Sequence, residues 1–350
     1  MLECRTIGRF SKTTYRPGAD ILSSGSGHRY VPKACFVQRQ SSRATRAASS
    51  RYTRVTRRAQ SSTKSVNRRK AQAKSENPHQ SVINRFQNLL ARKPQCLLNL
   101  YVTAGYPRLH DTVPLLQTLA AAGADILEIG VPFSDPLADG PVIQQTSAVA
   151  LRNGMTLKLL LRELQGIRQV LPDTPLLLMG YLNPVLQLGM EEFCRQASEA
   201  GIDGVILPDL PAEEYADFYQ ETFRRYNLRP VFLITPQTSE ARIRRLDELT
   251  DAFLYLVSGP GLTGGNQTAD QGAQQAYLRR VEALNLRNPR LVGFGIADKA
   301  SFEQACQHAH GAIIGSALLR ALDGAADPHE AARQFVQGIR PAQSTTPAIS

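Results

Sequence analysis

A (β/α)8 TIM barrel, an α/β fold, with a leading N-terminal helix and a disordered basic extension before it, is the architecture the sequence predicts. Three observations predict it. Eight short apolar runs follow one another after about Asn77, amphipathic stretches of helical period separate them, and the charge of the chain changes sign near residue 76. Of 41 Lys and Arg and 30 Asp and Glu in 350 residues, residues 1–75 hold 18 bases against two acids, Glu3 and Asp20, a net of +16. The 23 bases and 28 acids that remain leave residues 76–350 at −5, so the overall charge of +11 comes from the extension. The divisions read as 1–75 for the extension, 76–341 for the barrel and 342–350 for a disordered tail.

The extension is rich in Arg and Ser and lacks any periodicity that would bury one face of a helix or strand. Such a segment cannot offset its chain entropy. It has no apolar core of a secretory signal, and its acid-poor composition is that of an organelle transit peptide; composition separates plastid from mitochondrion poorly, and the plastid stroma is expected ahead of mitochondrion or cytoplasm. The competing reading is a nucleic-acid arm with Arg54, Arg57, Arg58, Arg68, Arg69 and Lys70 on phosphates. Nothing downstream resembles a domain that reads nucleic acid, so no nucleic-acid partner is expected. No apolar run approaches the roughly 18 to 20 residues that span a bilayer, so no membrane is expected either. The five cysteines, Cys4, Cys35, Cys96, Cys194 and Cys306, form no C-x-x-C pair and no cluster with His, which gives no sign of a disulfide framework or zinc site.

Val82–Leu90 predicts the leading helix, ended near Lys93-Pro94. The strands are expected at Leu97–Val102, Ile126–Gly130, Leu176–Met179, Gly204–Leu207, Val231–Ile234, Phe253–Val257, Leu291–Phe294 and Ala312–Gly315. Helical patterns between them include Thr112–Ala122, Leu157–Val170, Glu191–Ala200, Ala212–Tyr226, Glu240–Leu249, Ala273–Leu286 and Lys299–His308. Buried strands alternating with helices pair in parallel through right-handed crossovers, and eight such units close as a barrel more naturally than they stack as an open sheet. Chemistry is then expected at the C-terminal strand ends.

Two features stand out there. Gly293-Phe294-Gly295 follows the seventh strand, and Gly315-Ser316 follows the eighth and opens a short helical run, Ala317–Leu322. Glycine admits an anion to the backbone amides, Ser316 adds a hydroxyl and a helix start adds a favourable dipole, so consecutive loops of this kind predict a phosphate seat. The second strand carries Glu128 among apolar residues; pointed into the barrel mouth it loses water, its pKa rises and it can donate or accept a proton. Because the strands hold almost no bases, a buried ion pair is a poor account of Glu128. The loop that follows, Pro132 to Gly140, adds Asp135 and Asp139 between constrained positions. The residues predict acid–base chemistry by a carboxylate pair, Glu128 with an acid of that loop, on a small phosphorylated substrate. No P-loop, dinucleotide fingerprint or lysine placed for an imine is evident.

The run from Leu127 to Pro141, LEIGVPFSDPLADGP, resembles the signature of the tryptophan synthase alpha chain family. The resemblance extends over about Val82 to Arg340 through Tyr101-Val102-Thr103-Ala104-Gly105, Leu207-Pro208-Asp209-Leu210-Pro211, Thr263-Gly264, Gly293-Phe294-Gly295-Ile296 and Gly315-Ser316. It implies retro-aldol cleavage of indole-3-glycerol phosphate to indole and glyceraldehyde 3-phosphate, late in tryptophan biosynthesis, with no cofactor and no metal in this chain. It implies that Glu128 handles the proton at indole C3 and Asp139 the indole N–H proton; that Thr263 meets Asp139 when the loop after the sixth strand closes; that Gly264, Phe294, Gly295, Gly315 and Ser316 hold the phosphate; and that Tyr101, Met179, Tyr181, Ile206 and Tyr255 line the indole pocket. It also implies a pyridoxal-phosphate beta chain as partner in an alpha2-beta2 tetramer, docked through Pro132, Phe133, Asp135, Leu182, Asn183, Pro184, Asp209, Leu210 and Pro211. The family often carries Arg after the serine matching Ser258, where this chain has Gly259-Pro260-Gly261, which leaves the closure of that loop open. A stand-alone lyase releasing free indole and a non-catalytic barrel that activates a beta chain are the alternatives; Glu128, Asp139, Thr263 and the glycine seats speak against the second.

Overall fold

The computed structural model describes residues 84–257, 267–293 and 295–340 of the chain. All of these fall within one compact unit, Asn77–Ser350. The extension and the C-terminal tail, on which the expectation of disorder and targeting fell, lie outside the described residues, as do Thr263, Gly264 and Phe294.

Nine strand segments make one all-parallel sheet: β1 Leu97–Thr103, β2 Ile126–Gly130, β3 Leu176–Met179, β4 Gly204–Ile206, β5 Arg229–Pro230, β6 Phe232–Ile234, β7 Leu254–Val257, β8 Arg290–Gly293 and β9 Gly311–Ile314. Their order runs β5-β4-β3-β2-β1-β9-β8-β7-β6. The two ends of that order are neighbours along the chain. Only Val231 separates β5, which pairs with β4, from β6, which pairs with β7. The Val231 amide still donates to Val205 O at 2.9 Å, so β5 and β6 are two halves of one strand and the ring closes with eight. Pro230 brings no amide to the ladder at the break.

Alternation along each strand divides the apolar residues into two cores. Leu98, Leu100, Leu127, Ile129, Leu176, Leu178, Leu254 and Leu256 face the surrounding helices. Leu97, Ile126, Leu177, Ile206, Phe253, Tyr255, Leu291 and Ile313 fill the barrel. The leading helix, Arg85–Arg92, starts at Asn84, whose side chain accepts from Gln87 N, and sends Phe86 and Leu89 into the interior core. Phe86 meets Phe253 edge to face at 6.1 Å between ring centres, which closes the N-terminal mouth.

Two carboxylates lock that closed end. Asp203, 2 % exposed, takes Arg85 Nη1 at 2.9 Å, Arg168 Nη2 and the Leu176 amide at 2.9 Å. Asp125 takes Lys93 Nζ at 2.8 Å, Arg340 Nη1 at 2.9 Å and the Leu98 amide at 2.8 Å, which ties the leading helix and the end of the last helix to β1.

β2 and β3 and the helices Thr112–Ala122, Glu240–Leu249 and Lys299–His308 have the predicted bounds. The expected Ala212–Tyr226 helix is instead interrupted by a π-helical turn over Tyr215–Tyr219, where the buried Tyr215 ring packs edge-on against Phe223 and Phe232. Leu157–Val170 is shortened to Leu157–Glu163, with a separate 3-10 turn at Ile167–Gln169. Helices at Pro141–Arg152, Leu182–Leu188 and Pro328–Ile339 were not foreseen. Each carries proline in its first turn, which reads as a break in sequence but costs no helical hydrogen bond there. Among the described residues no helix is long and apolar enough to cross a membrane.

Replacing Asp203 by Ala strands two arginines and is expected to cost about 3–5 kcal/mol. Urea unfolding of Asp203→Ala beside the parent checks this; an unchanged midpoint would mean the network contributes nothing.

Candidate active site

The C-terminal ends of the strands enclose a cavity of about 340 Å3. Its floor is the top of the interior core. Tyr101 and Glu128 are register partners on β1 and β2, so both project inward at one level, and Asn99, two residues below Tyr101, shares that face. Met179, Leu233, Tyr255 and Ile313 complete an apolar wall. Loop residues Ala138, Asp139 and Gly140, which follow β2, and Gly295, Ile296, Ala297, Gly315, Ser316, Ala317 and Arg320, which follow β8 and β9, also line it.

Glycine makes room for the two phenols. A Cβ on Gly130 would lie 2.0 Å from Tyr101 Oη, and one on Gly293 would lie 2.3 Å from a Tyr255 ring carbon. The inward face of Gly293 is therefore occupied by a ring, not open to an anion. Gly295 differs: its φ of +76° lies in the left-handed region and a Cβ there would meet nothing, so this glycine serves backbone conformation beside the cavity.

Glu128 is 0 % exposed. Its Oε2 accepts a hydrogen bond from Asn99 Nδ2 at 2.9 Å, while Oε1 has no partner among the described residues. Burial pushes its pKa up from 4.5 to about 8; the Asn99 hydrogen bond opposes that, and the nearby charge of Asp139 adds to it. Asp139 is raised from 3.8 to about 6, again by burial, with hydrogen bonding to Tyr181 pulling the other way. The two carboxyls are thus held apart, with the deeper one the weaker acid. Burial, and the Asp139 and Glu128 charges, also hold the Tyr101 and Tyr255 phenols well above their ordinary range, so both stay neutral.

Asp139 sits on a braced loop. The Asp139 amide donates to Pro136 O at 3.2 Å, Gln144 Nε2 donates to Asp139 O at 2.8 Å, and the Ala138 amide donates to Tyr181 Oη at 3.0 Å. Phe133 stacks on Tyr181 with ring centres 5.1 Å apart. Pro141 then opens a helix immediately behind the carboxylate.

Of the residues expected in the indole pocket, Tyr101, Met179 and Tyr255 line the cavity; Tyr181 and Ile206 do not. Tyr181 stands behind the loop and braces it, and Ile206 lies within the interior core. Gly295, Gly315 and Ser316, expected at the phosphate, are among the residues that line the cavity. Pro132 is buried, Phe133 and Pro184 are half-buried, and Asp135, Asn183, Asp209 and Pro211 are exposed on the loops after β2, β3 and β4. Both oxygens of Asp209 accept from the Leu182 amide, at 2.9 and 3.0 Å, which joins two of those loops.

Sequence reasoning missed Asn99, Leu233, Ile313 and Arg320. Asn99 had a signal, a lone amide in an otherwise apolar strand. Leu233 and Ile313 follow from period-two alternation once the inward face is known. Arg320, an exposed residue that also lines the cavity, had none.

A family model described as the tryptophan synthase alpha chain matches residues 86–345. The chain is 48 % identical over 258 residues to the tryptophan synthase alpha chain of Parabacteroides distasonis, covering 74 % of this chain and all of that one. With the Flavobacterium johnsoniae protein of the same name it shares 52 % over 226 residues, 65 % of this chain and 88 % of that one. In structure it is similar to tryptophan synthase subunit alpha from Legionella pneumophila, at a TM-score of 0.67 and 34 % identity over 74 % of this chain and 97 % of that one. These relatives are bacterial, which points away from the plastid expected from the extension's composition and from a plastid transit peptide with it. An Arg- and Ser-rich, acid-poor segment reports charge and the want of a core, not the compartment that receives it. The family match covers most of the chain, the fold agrees, and the signature loop delivers a second carboxylate to the cavity that holds Glu128: this chain belongs to the tryptophan synthase alpha chain family.

Proposed function

We propose that Glu128 and Asp139 perform, as acid and base, the reaction of this family, retro-aldol cleavage of indole-3-glycerol phosphate to indole and glyceraldehyde 3-phosphate. The observation that carries the assignment is the pair itself: a fully buried glutamate without a countercharge among the described residues, and a second, less buried carboxylate lining the same cavity. At neutral pH the first holds a proton and the second does not, which is what separates an acid from a base in one site.

Glu128 gives its proton to indole C3, and Asp139 takes the ring N–H proton as positive charge develops on nitrogen. The carboxylate left on Glu128 then takes the proton of the side-chain hydroxyl. The carbon–carbon bond breaks, its electron pair returns to the ring, and the hydroxyl carbon becomes the aldehyde; Asp139 returns the N–H proton, so no net proton is consumed. The ring nitrogen carries the charge that an imine or metal would carry elsewhere, and the family's reaction uses no cofactor in this chain. Tyr101, Met179, Leu233 and Tyr255 offer apolar surface to the indole. Gly295, Gly315 and Ser316 receive the phosphate, with Arg320 adding charge at the mouth. Thr263, Gly264 and Phe294 keep the roles that the resemblance implies, and Tyr181 supports the Asp139 loop.

Family membership implies a beta-chain partner, and pyridoxal phosphate belongs to that chain. We place its docking surface on the loops after β2, β3 and β4, including Pro132, Phe133, Asp135, Asn183, Pro184, Asp209 and Pro211, in an alpha2-beta2 assembly. Leu137, 96 % exposed within the first of these loops, is an apolar side chain such a surface would cover.

Three outcomes are expected. Glu128→Gln and Asp139→Asn keep shape and remove proton transfer, so each should lower indole release by about 100- to 10,000-fold with the melting temperature retained; parent-like turnover in either would overturn the assignment. Activity should need Glu128 protonated and Asp139 ionised, so kcat/KM should fall as pH rises through about 8 and as it drops through about 6, with the apparent values belonging to the pair; a profile flat from pH 5 to 9 would count against it. Indole release by the full chain should be slow alone and rise steeply when a tryptophan synthase beta chain is added, whereas fast release alone would favour a free-standing lyase.

A further inference from the structure

We propose that Asn99 is a positioning residue that assigns separate roles to the two oxygens of Glu128: it holds Oε2 against β1 and leaves Oε1 as the oxygen that carries the proton to the substrate. The inference rests on Glu128 being the acid of the reaction.

The geometry begins with the barrel register. Asn99 lies opposite Ile126 and Tyr101 opposite Glu128, so the Asn99 side chain rises from the tier directly below the carboxyl. Both side chains are 0 % exposed, so their contact lies away from bulk solvent. Asn99 Nδ2 donates to Oε2 at 2.9 Å, and Oε1 and Asn99 Oδ1 are each left without a partner among the described residues. A carboxylic acid carries its proton on one oxygen, and the other, carbonyl-like oxygen is the better acceptor. With Oε2 engaged as acceptor, the proton belongs on Oε1. The opposite amide orientation would set Oδ1 against Oε2, draw the proton down into that contact and withhold it from the cavity.

The other groups that face Glu128 do not compete for this role. Tyr101 on β1 and Tyr255 on β7 stay neutral, and Asp139, from the loop after β2, bears a like charge. No cation is paired with Glu128 among the described residues. Asn99 is therefore the neighbour that favours the ionised form, which must exist transiently between the two proton transfers. An amide suits this role, because Lys or Arg there would keep the carboxyl ionised and unable to protonate carbon, while an apolar residue would leave the ionised form without a donor.

Replacing Asn99 by Leu, similar in size but without a donor, tests this in the full chain with its beta-chain partner present. The expected result is a lower kcat with KM little changed, and an alkaline limb of the pH profile moved upward by about one pH unit, since the ionised form has lost its hydrogen bond. An unmoved limb would make Asn99 a packing residue only, and a downward shift would mean it accepts the Glu128 proton; either result overturns the proposal. Asn99→Asp, which keeps the shape, provides a second reading if the Leu variant fails to fold: a second carboxyl beside Oε2 should move the limb further upward, and an unmoved limb again counts against it. Glu128→Gln measured alongside separates the two claims. If it keeps its activity, the acid assignment has failed; if it is inactive while the Asn99 variants keep the parent profile, only the role of Asn99 has.

Discussion

A carboxyl buried at the mouth of a barrel, with no cation paired to it among the described residues, is the constraint on which the C-terminal end of this barrel depends. An ionised group in that position would be expensive, so Glu128 remains protonated through neutral pH. The surroundings are arranged to keep it so. Its neighbours on the facing strand are an amide and a phenol, and the wall opposite is made of a second phenol and aliphatic side chains. Glycines at the tops of β2 and β8 admit those phenols, which fill space without bringing charge.

The second carboxylate belongs to a loop rather than a strand, and its position is secured by other means. Hydrogen bonds to Pro136 O, from Gln144 and to the Tyr181 oxygen brace the backbone on either side of Asp139, while the Phe133–Tyr181 stack anchors the loop's start. Tyr181 is more informative as a brace than as a pocket wall. Because its hydroxyl also lowers the Asp139 pKa, one side chain both braces that loop and tunes its carboxyl.

The two ends of the barrel handle charge in opposite ways. At the N-terminal end, Asp203 and Asp125 are surrounded by arginine, lysine and backbone amides and act as fasteners for the leading and last helices. At the C-terminal end Glu128 and Asp139 have no such partners among the described residues and keep a proton equilibrium within reach of neutral pH. That division follows the general barrel rule, in which the bottom face carries stability and the top face carries chemistry.

The sequence by itself determined the parallel barrel, the placement of most of its strands, and Glu128 as an acid set in an apolar strand. Period-two and helical patterns are local properties, and an acid in an apolar strand is conspicuous without knowledge of its neighbours. The basic extension was equally plain as composition, yet composition could not name its compartment. Only the tertiary structure decided that Val231 divides one strand between two neighbours, that Tyr181 and Ile206 stand back from the cavity, and that Arg320 reaches its mouth. It alone decided that Asn99 meets one oxygen of Glu128 and leaves the other free. Those facts depend on inter-strand register and on side chains brought together from positions tens to hundreds of residues apart, and no local pattern in a single chain records which residues will share a tier once the ring has closed.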